Sequence, residues 1–264
     1  MTRRDPRASC RTRCSTLARQ YRAIFVDDGG VISVNDERGI QWRRLLGEFF
    51  PPILGATPEQ WSASNARVME SLFGRYLERI LADRAANGRV TLDYATYYRE
   101  YRLEWLRGMC EGVGIEPAAD EESVLALADR AIAYCAHRVR APQARVVDAI
   151  RCLHARGYTL YTASGETRAE LEGYLSALGV RELFTCLYGG DVVNTLKEGP
   201  EYYARILADS GQSPETSLFV DDNPIVLDWI RQAGARSALV RPDPPPDSRA
   251  DHFAASLWEL TQDL

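Results

Sequence analysis

Four places along the chain carry side chains that could handle a phosphate group. Asp27 follows the apolar run Ala23-Ile24-Phe25-Val26, and Thr162 follows Thr159-Leu160-Tyr161. Lys197 comes shortly after Cys186-Leu187-Tyr188, and Asp221-Asp222 follow the run from Ser217 to Val220. Each run reads as a buried strand, and in an open parallel sheet ligands bind beyond the carboxyl ends of the strands. The four places can therefore meet despite their separation in sequence. A carboxylate can attack phosphorus and form an aspartyl-phosphate. Further carboxylates and a backbone carbonyl are the hard oxygen donors that suit Mg²⁺. A lysine ammonium and a threonine hydroxyl can hold the remaining phosphate oxygens. Gly29 and Gly30 leave backbone N–H groups for close approach. Lys197 stands out by composition, because the other 31 of the 32 basic residues are arginine.

The elements that must position these groups form a clear pattern. After the strand at Thr159 come a helix over 167–178, the strand at Cys186, a helix over 200–209 and the strand from Ser217. A helix over 224–233, a strand from Ser237 to Val240, a Pro-rich turn at 242–246 and a terminal helix complete the chain. Strands alternating with helices of this length predict an α/β fold with a Rossmann-like parallel sheet. Ser164 is the expected cap of the helix at 167, and Asn223-Pro224 the expected start of the helix at 224.

Between the first two strands, residues 35–141 read as helical throughout. Val124, Leu127, Ala128, Ala131, Ile132 and Cys135 follow the spacing of a buried helical stripe. Tyr94, Tyr97, Tyr98, Tyr101 and Trp105 form an aromatic stripe, expected to pack within the same lobe. The expected organisation is a core of 21–34 and 142–264 interrupted by an inserted α-helical domain at 35–141. The Arg-rich residues 1–20 are expected to be a disordered basic extension.

Composition narrows the field. With 264 residues, 45% of them hydrophobic, the chain can bury a substantial core. The net charge of −5 gives no basic excess for nucleic acid, and no run is long and apolar enough to span a membrane. Six scattered cysteines without a CxxC pair suggest reduced thiols and a cytoplasmic protein. Three histidines make a His-based zinc site an unattractive reading.

Taken in order, the motifs resemble those of the haloacid dehalogenase (HAD)-like hydrolase superfamily, over about residues 22–240. AIFVDDGGVI is similar to its first motif and LYTAS to its second. Lys197 matches the third, LFVDDNP is similar to the fourth, and the helical insert is similar to the family's C1-type cap. The resemblance implies a Mg²⁺-dependent phosphatase acting on a small phosphorylated molecule. Asp27 would be the nucleophile and a metal ligand, with the Gly29 carbonyl and Asp222 as further ligands and Asp221 in support. Thr162 and Lys197 would bind the phosphate, helped by the backbone N–H groups of Gly30 and Ala163.

Two positions depart from the family pattern. Gly29 stands where most family phosphatases carry a second Asp that serves as general acid and base, and positioned acid–base help is worth about 10²–10⁴-fold. Asp28, Asp36, Glu166 or a substrate group could take over that proton. Val226 stands where many members carry a further Asp. A register with Asp28 as the nucleophile fits the following Gly30-Val31-Ile32 less well. Gly29 also admits a C–halogen hydrolase of the haloacid dehalogenase type, against which Asp221-Asp222 argues, and a catalytically weak binding protein of the same fold. A phosphonate hydrolase would need a lysine in the insert, which has none. Near the insert's entrance, Asn35, Asp36, Arg38 and Trp42 are candidates for reading the rest of a substrate, although a solvated helix face explains Arg38, Arg43 and Arg44 equally well.

Overall fold

Strand β1 (Ala23–Val26) is buried along its whole length, which identifies it as a central strand. It lies in a parallel six-stranded sheet of order β3-β2-β1-β4-β5-β6. The other strands are β2 (Thr159–Ala163), β3 (Phe184–Tyr188), β4 (Ser217–Asp221), β5 (Arg236–Val240) and β6 (His252–Ala254). β1 pairs with β2 and β4, so Val26 lies level with Thr162 and Val220. The carboxyl ends of the three middle strands therefore open onto one place. This computed structural model describes residues 20–264, and the extension expected at 1–20 lies, apart from Gln20, outside the described residues.

Five helices follow β1: α1 (Asn35–Phe49), α2 (Pro51–Leu54), α3 (Pro58–Asn87), α4 (Tyr94–Val113) and α5 (Glu121–Ala136). Local sequence sets their ends. Thr57 and Gln60 form a capping box around α3, with Pro58 in its first turn and Gly88 left-handed at its end. Asp93 and Asp120 cap α4 and α5. These helices bury a core of their own, including Phe50, Trp61, Trp105 and Met109. Tyr76 meets Tyr97 and Tyr101 edge-on, at 5.0 and 5.3 Å, so these two members of the aromatic stripe pack inside the insert, while Tyr94 packs on Leu196 of the core.

The remaining helices are α6 (Val146–Ala155), α7 (Arg168–Leu178), α8 (Gly190–Val193), α9 (Pro200–Ser210), α10 (Val226–Gln232) and α11 (Leu257–Asp263). Two apolar clusters cover the sheet, one built around Ile24, Val26 and Leu160, the other around Phe25, Tyr161 and Phe219. The arrangement is the Rossmann-like α/β fold expected from the alternating pattern.

Three details differ from that expectation. Thr167, not Ser164, caps α7: its hydroxyl accepts from the Glu170 N–H while Glu170 reaches back to the Thr167 N–H. Ser164 instead bonds Glu166. The helix after β4 is regular from Val226 rather than 224, and Asn223 accepts the Ile225 N–H in the turn that leads into it. Strand β6 was absent from the expected order; three residues after a Pro-rich turn give too little pattern to read. Among the described residues, no helix is long and apolar enough to cross a membrane, and Cys110, Cys135, Cys152 and Cys186 form no disulfide.

Candidate active site

β1 and β4 carry the acids to a common point. Asp27 follows β1 directly, Asp221 is the last residue of β4, and Asp222 is next. Each offers a carboxylate oxygen, and those oxygens lie within 4.8 Å of one another. The Lys197 ammonium lies 2.9 Å from Asp27 Oδ1 and 2.8 Å from Asp221 Oδ2. Asp27 Oδ1 also accepts from the Asp28 N–H at 2.8 Å. Two of the three carboxylates share one ammonium, in a place where Asp27 and Asp221 are 8% and 3% exposed. Such a group is electron-rich and oxygen-lined, which suits a hard divalent cation.

The proton affinities reflect this crowding. Burial, with the Asp221 and Glu166 carboxylates, pushes Asp27 well above the usual carboxylate range, against the pull of Lys197. Burial and Asp221 likewise raise Asp222. Burial alone would lower Lys197, but Asp221 and Asp27 outweigh it and hold the ammonium above its ordinary value.

Gly30 is where the first and fourth motifs touch. Its φ is +78°, and a Cβ there would fall 1.9 Å from Asp222 Oδ2, so only glycine fits. Its N–H, expected to help cradle a phosphate, already donates to the Ser33 carbonyl at 2.9 Å. The turn itself engages that donor. Thr162 is fully buried at the end of β2, and its hydroxyl donates to the Tyr188 carbonyl at 3.2 Å. Ala163 lies beside it at the buried end of the same strand.

A second charged group borders the first. Arg38, in the first turn of α1, pairs with Asp28, and also with Glu166 Oε1 at 2.8 Å. It donates to Asn35 Oδ1 at 3.0 Å as well. A Cβ on residue 29 would meet Asn35 Oδ1 at 3.0 Å and an Arg38 nitrogen at 3.3 Å. The space beside Gly29 is thus lined by an amide and a guanidinium. Of the groups considered as substitute acids, Asp36 is exposed. Glu166 is held below its ordinary pKa, since Arg38 and Ser164 outweigh its burial. Burial and Glu166 push Asp28 up to about 7, against Arg38 and Ser33. Its oxygens are held by Ser33 and Arg38. The Trp42 indole donates to the Tyr174 hydroxyl of α7 at 2.9 Å, so it ties the insert to the core. Sequence reasoning did not find Arg84 and Glu198, which meet beside Lys197. No local pattern links two residues so far apart.

The sequence pattern of the haloacid dehalogenase-like hydrolases matches residues 21–234. A phosphoglycolate phosphatase of Salmonella paratyphi A is 29% identical over 92 residues, covering 35% of this chain and 36% of that protein. The match thus spans only about a third of that relative's length. Among solved structures, the magnesium-bound HAD-hydrolase YfnB of Bacillus subtilis superposes with a TM-score of 0.64 at 18% identity, over 93% of this chain and 99% of that one. The L-2-haloacid dehalogenase of Xanthobacter autotrophicus gives 0.58 at 17% identity, over 92% and 97%. At these identities the likeness is one of fold.

Proposed function

Since the chain belongs to the haloacid dehalogenase-like hydrolase family, we propose that it is a Mg²⁺-dependent phosphatase of a small phosphorylated metabolite. The observation that carries this reading is the Lys197 ammonium bridging Asp27 and Asp221, with Asp222 within 4.8 Å. Hydrolysis at a carbon–halogen bond requires no such gathering of acids around a cation site. Asp27, Asp222 and the Gly29 carbonyl would hold Mg²⁺, with Asp221 in support; when bound, it supplies the positive charge that lets a carboxylate approach a phosphate dianion.

Asp27 Oδ1 is fixed by Lys197 and the Asp28 N–H, so Oδ2 is the oxygen that attacks. A bond forms between Oδ2 and phosphorus, and the bond to the leaving oxygen breaks with its electron pair on that oxygen. Lys197 holds charge on the phosphoryl group during transfer. Water then attacks phosphorus, the bond to Asp27 breaks, and the departing phosphate takes the proton. Thr162 turns its hydroxyl from the Tyr188 carbonyl to a phosphoryl oxygen. With no carboxyl at position 29, substrates whose leaving groups are acidic react fastest. The helical insert, a domain over 35–141 in this reading, excludes bulk water from the site.

A panel of phosphorylated metabolites, assayed with and without Mg²⁺, tests this reading. Turnover should need the metal and vanish in Asp27→Asn with the fold retained. Metal-independent release of chloride from 2-chloropropionate would replace the phosphatase by a dehalogenase. Ligand stabilisation without turnover would replace it by a binding protein.

A further inference from the structure

The segment that carries Lys197 is gripped from outside by the helical insert. On one side of Lys197, Leu196 is buried with Ile80 of α3, Val90 of the α3–α4 loop and Tyr94 of α4. On the other side, Glu198 receives Arg84 near the end of α3. The Arg84 guanidinium donates to the Glu198 backbone carbonyl and lies 3.4 Å from its carboxylate. It also sits over the Trp229 ring of α10, 5.0 Å from the centroid. Upstream, the Asn194 amide donates to Asp93 at 2.8 Å.

The insert therefore holds residues 194, 196 and 198. Lys197 lies among them, its side chain 11% exposed and turned onto Asp27 and Asp221. A segment tied at three alternate residues has little freedom to swing the ammonium away. The Arg84 tie is charge-assisted, an ionised donor on a carbonyl with a carboxylate beside it. A planar guanidinium over an aromatic face also limits the alternatives. The length of α3, 30 residues or about 45 Å, is what carries Arg84 to this place.

We infer that Arg84 is a positioning residue for Lys197, so that docking of the insert sets the ammonium on which phosphate binding depends. The inference rests on the phosphatase reading for its substrate. Linkage makes the effect reciprocal: phosphate held by Lys197 stabilises the docked insert, and a loosened insert weakens phosphate by the same factor.

The test uses the full chain with Mg²⁺, p-nitrophenyl phosphate as substrate and inorganic phosphate as competing ligand. Arg84→Gln should lower kcat about tenfold and raise the phosphate inhibition constant by a similar factor. Its melting temperature should stay close to that of the parent. Arg84→Lys should recover part of both, since one ammonium can still reach the Glu198 carbonyl. Arg75→Gln, on the same helix but paired with Glu104, should alter neither. If Arg84→Gln fails to fold, Trp229→Leu removes the aromatic support alone and should shift both constants the same way.

A cycle with Lys197→Gln decides the matter, read as inorganic-phosphate binding by thermal shift. A double variant no weaker than Lys197→Gln alone carries the inference. A further independent loss overturns it, as does Arg84→Gln with parental kcat and inhibition constant. Absence of turnover on any phosphate ester would sink the phosphatase reading, while the binding cycle would still decide the coupling.

Discussion

The ammonium of Lys197 lies 2.9 Å from Oδ1 of Asp27, although the two residues come from separate strand–helix units of the core. The same nitrogen reaches Asp221, so one side chain orients acids from β1 and β4. An ammonium is a compact point charge that can serve two carboxylates and a phosphate from one position. A guanidinium is a planar fork of different reach.

Lys197→Arg should therefore impair turnover although the charge is kept. The expected loss in kcat is about 10²-fold, the size of one lost transition-state donor. Steady-state kinetics on an aryl phosphate, with a thermal melt as folding control, check it. A parental rate would make Lys197 a bystander.

Gly30→Ala probes the contact between the first and fourth motifs. A methyl there would overlap the Asp222 carboxylate, at a φ of +78° that alanine resists. The variant should lose about 1–3 kcal/mol of stability and bind Mg²⁺ more weakly, because Asp222 must move. Urea unfolding and Mg²⁺ titration read the two effects separately. Gly74→Ala is the contrast: nothing lies within 4 Å of the new methyl inside α3. It should gain roughly 0.5–1 kcal/mol.

How much of this was legible in the sequence depends on what fixes each residue. Asp27 and Asp221 sit at strand ends, and strand ends are readable from a buried apolar run and the acid that follows. Lys197 was readable because composition singled it out. Arg38 was readable as a candidate near the insert's entrance, but not its partners, since Arg43 and Arg44 stand close by; only the docking of α1 decides which arginine meets Asp28 and Glu166. The cap of α7 was misread because Ser164 and Thr167 both suit an N-cap. What separates them is Glu170, placed to close a capping box on Thr167 alone. The Gly30 N–H donates to the Ser33 carbonyl of the same turn, a contact that only the folded turn reveals.

Glu166→Gln tests the ion pair between insert and core. Arg38 holds the Glu166 carboxyl below its ordinary pKa. A carboxyl depressed in the folded state stabilises the fold above its unfolded pKa, about 4.3, and that contribution fades as pH falls through the folded value. The partners are 16% and 20% exposed, so screening is partial. The parent should exceed the variant by about 1 kcal/mol at pH 7, with the gap closing below about pH 4. Urea melts at pH 7 and pH 3.5 provide the comparison. An equal gap at both would mean that the charge contributes nothing.

Tyr203 poses the opposite problem. Its ring meets Tyr202 and Phe219 edge-on, each at 5.3 Å, in the cluster under the sheet. Its hydroxyl is buried with no hydrogen-bond partner among the described residues. Burial holds the phenol well above its ordinary pKa, so it stays protonated near neutral pH. The unpaired hydroxyl costs the fold about 1–3 kcal/mol in lost hydration. Tyr203→Phe keeps the ring packing and removes that cost, at the expense of a void the size of one oxygen. The variant should be more stable by about 1 kcal/mol, a rise of about 2–4 °C in melting temperature for a chain of this size. A thermal melt against the parent measures it directly. A fall in melting temperature would mean that the hydroxyl is satisfied in solution, for instance by a water held between it and the Lys197–Asp221 pair whose charges it feels.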